Sequence, residues 1–303
     1  MSEIVYGEAT RNVKAHYDGS APTYHLQYDS DLIWQNAEYP SNYFRLEKVI
    51  EILRKNAAQS VYEFGAGEAS PMIRIHQELG IRIEANDLST EMVRLGKENL
   101  SLHGMDPEAL TQVDLTDAAA VAVEQARVGT FDAVIALGVI PHVENDQAFV
   151  EAMSSFLKPG GLLILQFRNS MFSMFTFNRL TKELILEDLL VGVPDEFKQV
   201  VAADLDQRLA VDKPPKREEK QMGPAYDEIL ARFHNPFELS EIVKDSGFTD
   251  LHYRWYNFHP TYPMISGAID AETYREAQIA LEADESWRGM FLCSAGMIIA
   301  TKS

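Results

Sequence analysis

Two glycines, one residue apart, follow an acidic residue in the stretch VYEFGAGEAS at residues 61–70. Glycine adopts backbone angles that other residues resist, and it lets a ligand approach the main chain closely. An apolar run precedes this turn and a helical pattern follows it, so backbone N–H groups at a helix start would face the ligand. The stretch predicts a turn that holds a large polar cofactor at Gly65 and Gly67.

The spacing leaves two kinds of cofactor open. Dinucleotide enzymes use G-x-G-x-x-G/A, with an acidic residue about 20 positions further on. Ser70 stands where the third small residue would be, and Asp87 lies at a suitable distance. An NAD(P)-dependent Rossmann oxidoreductase is therefore one hypothesis, although no Tyr-x-x-x-Lys pair of the short-chain reductases occurs in the chain.

Further polar residues stand at the ends of later strand-like segments. Asp87 ends IRIEAND, Asp114 ends LTQVDL, and His142 follows FDAVIALGV. The carboxyl ends of parallel strands meet at one sheet edge, where ligands of such sheets bind, so we expect these side chains to lie close together. A histidine there could accept a proton from a substrate. His142 is the predicted catalytic base, with orientation of its loop as the alternative.

The elements that would position these residues alternate between strand and helix. Between SVYEF and GLLILQF the strand-helix unit recurs about five times with short connections, which indicates a parallel sheet covered by helices. Two later strands, FTDLHYRWYNF and FLCSAGMIIAT, are expected to form a hairpin-like antiparallel edge. The predicted fold class is α/β, a doubly wound, mostly parallel seven-stranded sheet with an antiparallel last strand, plus a helical cap and insertion.

Interruptions of this pattern divide the chain. Residues 1–58 are predicted to be an N-terminal helical cap segment. Residues 59–169 and 236–303 are predicted to form the Rossmann-like core. Residues 170–235 contain the Met/Phe-rich SMFSMFTFNRL and the polar run DKPPKREEK, a predicted loop, and are predicted to be a helical insertion or lid over the acceptor pocket.

The series VYEFGAGEAS, NDLSTEM, VDL, FDAVIALGVIPHV and FLKPGGLLIL resembles the motifs of class I S-adenosylmethionine-dependent methyltransferases, of the small-molecule kind related to the ubiquinone and menaquinone methyltransferases. The resemblance covers about residues 41–169 and implies S-adenosylmethionine as cofactor, with S-adenosylhomocysteine as product. Ala69 departs from the family's third glycine. In this likeness Asp87 would bind the ribose, Asp114 and Leu115 would bind the adenine, and Glu63 would bind the ammonium or order the turn. The implied cofactor-binding residues are Glu63, Gly65, Ala66, Gly67, Asp87, Leu88, Met92, Asp114, Leu115, Leu137 and Gly138.

The acceptor is harder to place, because its residues lie outside the motifs. Aromatic residues near the N-terminus and in the Met/Phe-rich stretch could form a lid that excludes water. The alternative is a core stripe or a dimer interface. Arginines near such a pocket would suit an anionic or hydroxyl-rich acceptor. The predicted substrate-binding residues are Tyr17, Tyr24, Tyr28, His142, Arg168, Asn169, Phe172, Phe175 and His259.

Composition and charge limit the classes of binding partner that we expect for this protein. The formal net charge of -19 over 303 residues disfavours nucleic acid and anionic membranes. A single cysteine, Cys293, excludes an internal disulfide, and the scattered histidines lack metal-ligand spacing, so we expect no metal. The start lacks a signal-peptide pattern and no apolar stretch approaches a membrane span, so a cytoplasmic protein is expected.

The predicted function is methyl transfer to an oxygen or nitrogen atom of a small molecule, such as a metabolite, a sugar or a natural-product intermediate. His142 would give base assistance. The alternatives are the NAD(P)-dependent oxidoreductase and a non-catalytic protein that binds S-adenosylmethionine. A homodimer is compatible with the Met/Phe-rich stretch.

Overall fold

Short apolar segments form the strands of one sheet. A computed structural model describes residues 7–24, 28, 40–209 and 229–303, except for the side chains of 22–24 and 264–266. The strands in this part of the chain are β1 (Ser60–Phe64), β2 (Arg82–Asp87), β3 (Leu110–Gln112), β4 (Phe131–Ala136), β5 (Leu157–Arg168), β6 (Phe248–Phe258) and β7 (Cys293–Lys302).

The strand order is β3-β2-β1-β4-β5-β7-β6. The pairs from β3 to β5 are parallel, whereas β7 runs antiparallel to both β5 and β6. The order reverses between β1 and β4, which leaves a crevice at their carboxyl ends where ligands of doubly wound sheets bind. The predicted fold class is confirmed.

Helices connect the strands and cover both faces. They are α1 (Glu8–Tyr24), α2 (Ser41–Lys55), α3 (Ser70–Leu79), α4 (Thr90–Leu102), α5 (Ala118–Val128), α6 (Asp146–Ser155), α7 (Ser173–Thr176), α8 (Arg179–Glu183), α9 (Asp195–Arg208), α10 (Pro236–Asp245), α11 (Ala271–Leu281) and α12 (Gly289–Leu292). A π-helical turn spans Leu184–Leu189 and a 3-10 turn spans Ile140–His142. Among the described helices, none has the length and apolar character to span a membrane.

The central strands are apolar throughout because both of their faces are covered. All five residues of β1 are buried, and the last four of β4 are buried as well. Local signals fix the helices between them. Pro71 lies in the first turn of α3, Gly80 ends that helix in the left-handed conformation, and the Ser89 side chain caps α4 by accepting from the Met92 amide.

Two expectations about strands need correction. The segment LTQVDL is strand only to Gln112, because the Asp114 carboxylate accepts from the Thr116 amide and turns the chain. The strand expected at GLLILQF starts earlier, because LKPGG belongs to β5 and Leu157 already pairs with Phe131. The two late strands pair antiparallel at one edge of the sheet, as expected, with β6 outermost and β7 between β5 and β6.

Candidate active site

The glycine turn after β1 is bonded to β2. The Gly65 amide donates to Asn86 Oδ1 at 3.2 Å, and the Gly67 amide donates to Asp87 Oδ2 at 2.8 Å. Both glycines have positive φ angles, 70° and 58°. A Cβ on Gly65 would lie 2.4 Å from Val139 Cγ2, on the loop after β4. Glycine is therefore required at position 65 by backbone conformation and by the neighbouring loop.

Ala69, which stands where the family's motif has its third glycine, is held in place by hydrogen bonds of its neighbours. Ala69 is fully buried, adopts φ of 72° and is the residue before α3. The buried Glu68 accepts from Ser70 Oγ at 2.9 Å and from Asn99 Nδ2 at 2.8 Å. These bonds tie the turn to α3 and α4, and they hold an alanine in a conformation that L-residues rarely adopt.

Two carboxylates face the same cavity from the ends of β2 and β3. Asp87 accepts from the amides of Gly67 and Ser89, both at 2.8 Å, and burial raises its pKa while these amides lower it. Asp114 accepts from the amide and hydroxyl of Thr116 at 2.8 and 2.7 Å. An ionised carboxylate oxygen has more than one acceptor direction, so Asp87 retains capacity to accept from a diol and Asp114 from an amino group.

A cavity of about 750 Å³, including its open mouth, lies between these residues and α1. Its lining combines most of the predicted cofactor residues with residues of α1 and of the loop after β4: Thr10, Val13, Tyr17, Gly65, Gly67, Asp87, Leu88, Met92, Asp114, Leu115, Thr116, Leu137, Gly138, Val139, His142 and Val143.

Two predicted cofactor residues, Glu63 and Ala66, are buried without lining the cavity. Both carboxylate oxygens of Glu63 are buried with no hydrogen-bond partner among the described residues. Burial raises the pKa of Glu63 to about 8, the Arg45 guanidinium acts to lower it, and the charges of Asp87 and Glu68 raise it further. Such a group is prepared to gain a cationic partner.

Arg45 was not predicted from the sequence. It is 5% exposed on the apolar face of α2, and its guanidinium donates to the Tyr28 hydroxyl. A Cβ added at Gly138 would lie 3.5 Å from Arg45 Nη1, which places this cation beside the loop after β4. The sequence contained one signal for Arg45. This charged residue lies four positions before the buried Val49, on the apolar face of α2, where a charge needs a partner.

His142 lies in the 3-10 turn after β4, and both ring nitrogens have neighbours. Nδ1 is 2.5 Å from the Leu230 carbonyl, and Nε2 is 3.0 Å from the Tyr17 hydroxyl. A carbonyl only accepts, so Nδ1 carries the proton and Nε2 of the neutral ring accepts. Burial lowers the pKa of His142 to about 4, although the Leu230 bond acts to raise it. His142 is thus neutral near physiological pH.

Helix α1 supplies cavity residues that the motifs did not indicate. Thr10, Val13 and Tyr17 share one helix face and all line the cavity. Tyr17 was predicted as a substrate-binding residue, whereas Thr10, Val13, Thr116, Val139 and Val143 line the cavity without having been predicted. The spacing of 10, 13 and 17 is a helical signal, but only the tertiary arrangement shows which surface that face covers.

Several predicted acceptor residues are not among the described residues that line this cavity, although the charge of Arg168 acts to lower the pKa of His142. Asn169 is buried and donates to the carbonyls of Met290 and Cys293 at 2.7 and 2.9 Å. The Arg168 guanidinium lies 4.0 Å from the centre of the Phe233 ring. Tyr28 contacts Arg45, and the Tyr24 side chain lies outside the described residues.

Phe172, Phe175 and His259 form a separate aromatic cluster with Tyr262. The ring centres of Phe172 and His259 are 4.8 Å apart, and those of Phe175 and Tyr262 are 4.9 Å apart. Burial lowers the pKa of His259 to about 4. Phe172 is buried, but Phe177 is 47% exposed and Tyr262 is 44% exposed, so the stretch is only partly core, and a role for the cluster in acceptor binding stays a prediction. In the described part of the chain, no group of three His, Cys, Asp or Glu side chains is arranged to hold a metal.

Comparisons with known proteins agree with this geometry. Residues 62–165 match the family described as "Methyltransferase domain". The chain is 31% identical over 142 residues to a ubiquinone biosynthesis O-methyltransferase of Xanthomonas axonopodis pv. citri (strain 306), covering 45% of this chain and 56% of that protein. It is 28% identical over 127 residues to the protein of that name from Paraburkholderia xenovorans (strain LB400), covering 42% and 52%. The chain thus spans about half the length of the curated relatives it matches.

Among solved structures, the magnesium protoporphyrin IX methyltransferase of Synechocystis with bound SAH superposes with a TM-score of 0.53 at 15% identity. The superposition covers 98% of this chain and 100% of that one. The fold is that of the class I methyltransferases. The match of residues 62–165 to a methyltransferase domain agrees with the motif series.

Proposed function

We propose that this protein transfers the methyl group of S-adenosylmethionine to an oxygen or nitrogen atom of a small molecule, such as a metabolite, a sugar or a natural-product intermediate. The observation that carries the proposal is one cavity with the glycine turn, Asp87 and Asp114 on one side and the Tyr17–His142 pair on the other. Cofactor groups and a proton acceptor would meet there.

The polar residues of the cavity suit the groups of the cofactor. Asp87 would accept from the two ribose hydroxyls, and Asp114 from the adenine amino group, with Leu115 against the ring. Glu63 and Arg45 lie near the glycine turn and Gly138, so they would receive the ammonium and the carboxylate of the methionyl group, and Glu63 would lose its proton as the ammonium binds. Leu88, Met92 and Leu137 would supply apolar contact.

When bound, S-adenosylmethionine supplies a methyl group activated by the sulfonium charge, and the electron pair of the broken C–S bond stays on sulfur. The protein must orient the acceptor in line with that bond and exclude water. The neutral His142 would accept a hydrogen bond from the acceptor through Nε2, directly or through the Tyr17 hydroxyl. Because the ring is neutral, Nε2 could take up the proton that a hydroxyl loses as the C–O bond forms, whereas a neutral amine needs no base to attack the methyl group. We therefore favour oxygen over nitrogen, in keeping with the O-methyltransferase names of the relatives.

We further propose which segments complete the acceptor pocket, what kind of partner the protein binds and where it acts. The segments 1–58 and 170–235 would complete the acceptor pocket, since α1 lines the cavity and Leu230 holds His142. The strongly acidic surface favours a small molecule over nucleic acid or an anionic membrane as partner. A cytoplasmic location fits the use of a single cysteine, and a homodimer would have to use a surface other than the buried part of the aromatic cluster.

Calorimetry with S-adenosylmethionine, S-adenosylhomocysteine, NAD and NADP is the first test. Binding of the two sulfur compounds alone supports the proposal, and binding of a nicotinamide alone would reject it. The second test follows transfer of a labelled methyl group to a panel of small phenols, sugars and amines. Cofactor binding with no transfer to any acceptor would favour the non-catalytic alternative. Loss of transfer in His142→Ala, with cofactor affinity retained, would support base assistance.

A further inference from the structure

Helix α1 is attached to the start of α4 by one carboxylate. Asp18 Oδ1 accepts from the Ser89 hydroxyl and, at 3.1 Å, from the Glu91 amide. Its Oδ2 pairs with Lys14 Nζ at 2.7 Å. Burial acts to raise the pKa of Asp18, but the bonds from Lys14, Ser89 and Glu91 lower it more, so the carboxyl is ionised. An anion at a helix start also gains from the exposed amides and the helix dipole there.

This contact continues into the cofactor residues. Ser89 is 1% exposed, and its amide donates to Asp87 Oδ1, while Asp87 Oδ2 accepts from Gly67. The bonds thus run from Asp18 through Ser89 and Asp87 to the glycine turn. Without Asp18, the buried Ser89 hydroxyl would lose its acceptor, which is costly for a buried donor.

The same helix forms one wall of the cavity. Thr10, Val13 and Tyr17 face it from α1, whereas Gly67 and Asp87 face it from the sheet edge. A ligand between them is covered on one side by α1, so movement of this helix would widen its way out. Tyr17, next to Asp18 in the chain, reaches His142 at 3.0 Å only while α1 stays in this place.

We propose that Asp18 is a positioning residue that fixes α1 across the cavity and slows the dissociation of an S-adenosyl ligand. This inference rests on the proposed function, because it takes the ligand to be S-adenosylmethionine or its product. The strength of the Asp18–Ser89 contact then sets how often the cavity opens, and the ligand leaves during those openings.

The test measures S-adenosylhomocysteine binding to the immobilised full-length protein by surface plasmon resonance. We expect Asp18→Ala to raise the dissociation rate about tenfold, as for loss of a charge-assisted bond. Asp18→Asn retains an oxygen acceptor for Ser89 and should restore most of the slow rate. The matched control is Asp270→Ala, because Asp270 accepts from the amide and hydroxyl of Thr273 at the start of α11, away from the cavity.

If loss of a carboxylate at a helix start only lowered the overall stability, both Asp18→Ala and Asp270→Ala would lower the melting temperature. The inference requires the dissociation rate to change in the first variant alone. It is overturned if Asp18→Ala dissociates within about twofold of the parent protein, or if Asp270→Ala accelerates dissociation equally. No binding of S-adenosylhomocysteine by the parent protein would instead reject the proposed function, and the inference with it.

Discussion

The substitution Glu63→Gln measures how the buried, unpaired carboxyl of Glu63 makes the free energy of unfolding depend on pH. Burial raises the pKa of Glu63 to about 8 from the ordinary 4.5. Between these values the folded protein holds a proton on Glu63 that the unfolded chain has lost. The free energy of unfolding must therefore fall as pH rises from about 4.5 to 8, and level off above that. Glutamine has nearly the same shape and does not titrate.

The size of the effect follows from the two pKa values. Each pH unit in this window contributes about 1.36 kcal/mol. Between pH 6 and pH 9 the parent protein should lose about 2–3 kcal/mol relative to Glu63→Gln, most of it below pH 8. His142 and His259, whose pKa values burial lowers to about 4, contribute almost equally to both proteins and cancel in the difference.

Urea unfolding of both proteins without cofactor, at half-unit steps from pH 6 to 9, measures this difference. Glu124→Gln is the matched control. Burial acts to raise the pKa of Glu124, but bonds from Arg127, Thr111 and Tyr62 bring it below the ordinary value. Its variant should differ from the parent by a constant amount over this range. A difference between the parent and Glu63→Gln that stays constant within about 0.5 kcal/mol would refute the argument for a neutral buried Glu63.

Three further outcomes are expected. Asp87→Ala should weaken S-adenosylmethionine binding by about 1–3 kcal/mol because buried donors lose their acceptor, and unchanged affinity in calorimetry would remove Asp87 from the site. Gly65→Ala should destabilise the protein by about 1–3 kcal/mol more than Gly80→Ala, since both have positive φ but only the first meets Val139; equal melting temperatures would contradict the predicted clash. His142→Ala should lower kcat by about 10²-fold with little change in cofactor Kd. The kcat of the parent protein should show no titration near pH 6.5, because burial lowers the His142 pKa to about 4. A step at pH 6.5 in the parent that is absent from the variant would contradict this.

The elements around the glycine turn were readable from the sequence because their signals are local. Apolar runs such as FDAVIALGV indicate covered strands, and Ser89, Pro71 and Gly80 mark helix ends by their own chemistry. The motif residues follow successive strands of one sheet, so their convergence at one edge was predictable from topology rules.

The rest of the site depends on contacts between distant parts of the chain. Tyr17 and His142 are 125 positions apart, and His142 and Leu230 are 88 apart. Periodicity shows that a helix has a face, but not which surface that face meets. The buried position of Arg45 and the placement of β7 inside the sheet follow from packing in the same way, and no local pattern encodes either.

The position of β7 has a consequence for how the chain is made. This strand pairs along its length with β5, as in Leu162 with Thr301, and also with β6. During synthesis β7 leaves the ribosome after β5 and β6. Until then, each of these two strands has an unpaired hydrogen-bonding edge. Such edges invite association with other chains, and distant pairings form slowly. Loss of the last strand should therefore yield aggregated nascent protein rather than a smaller, working enzyme.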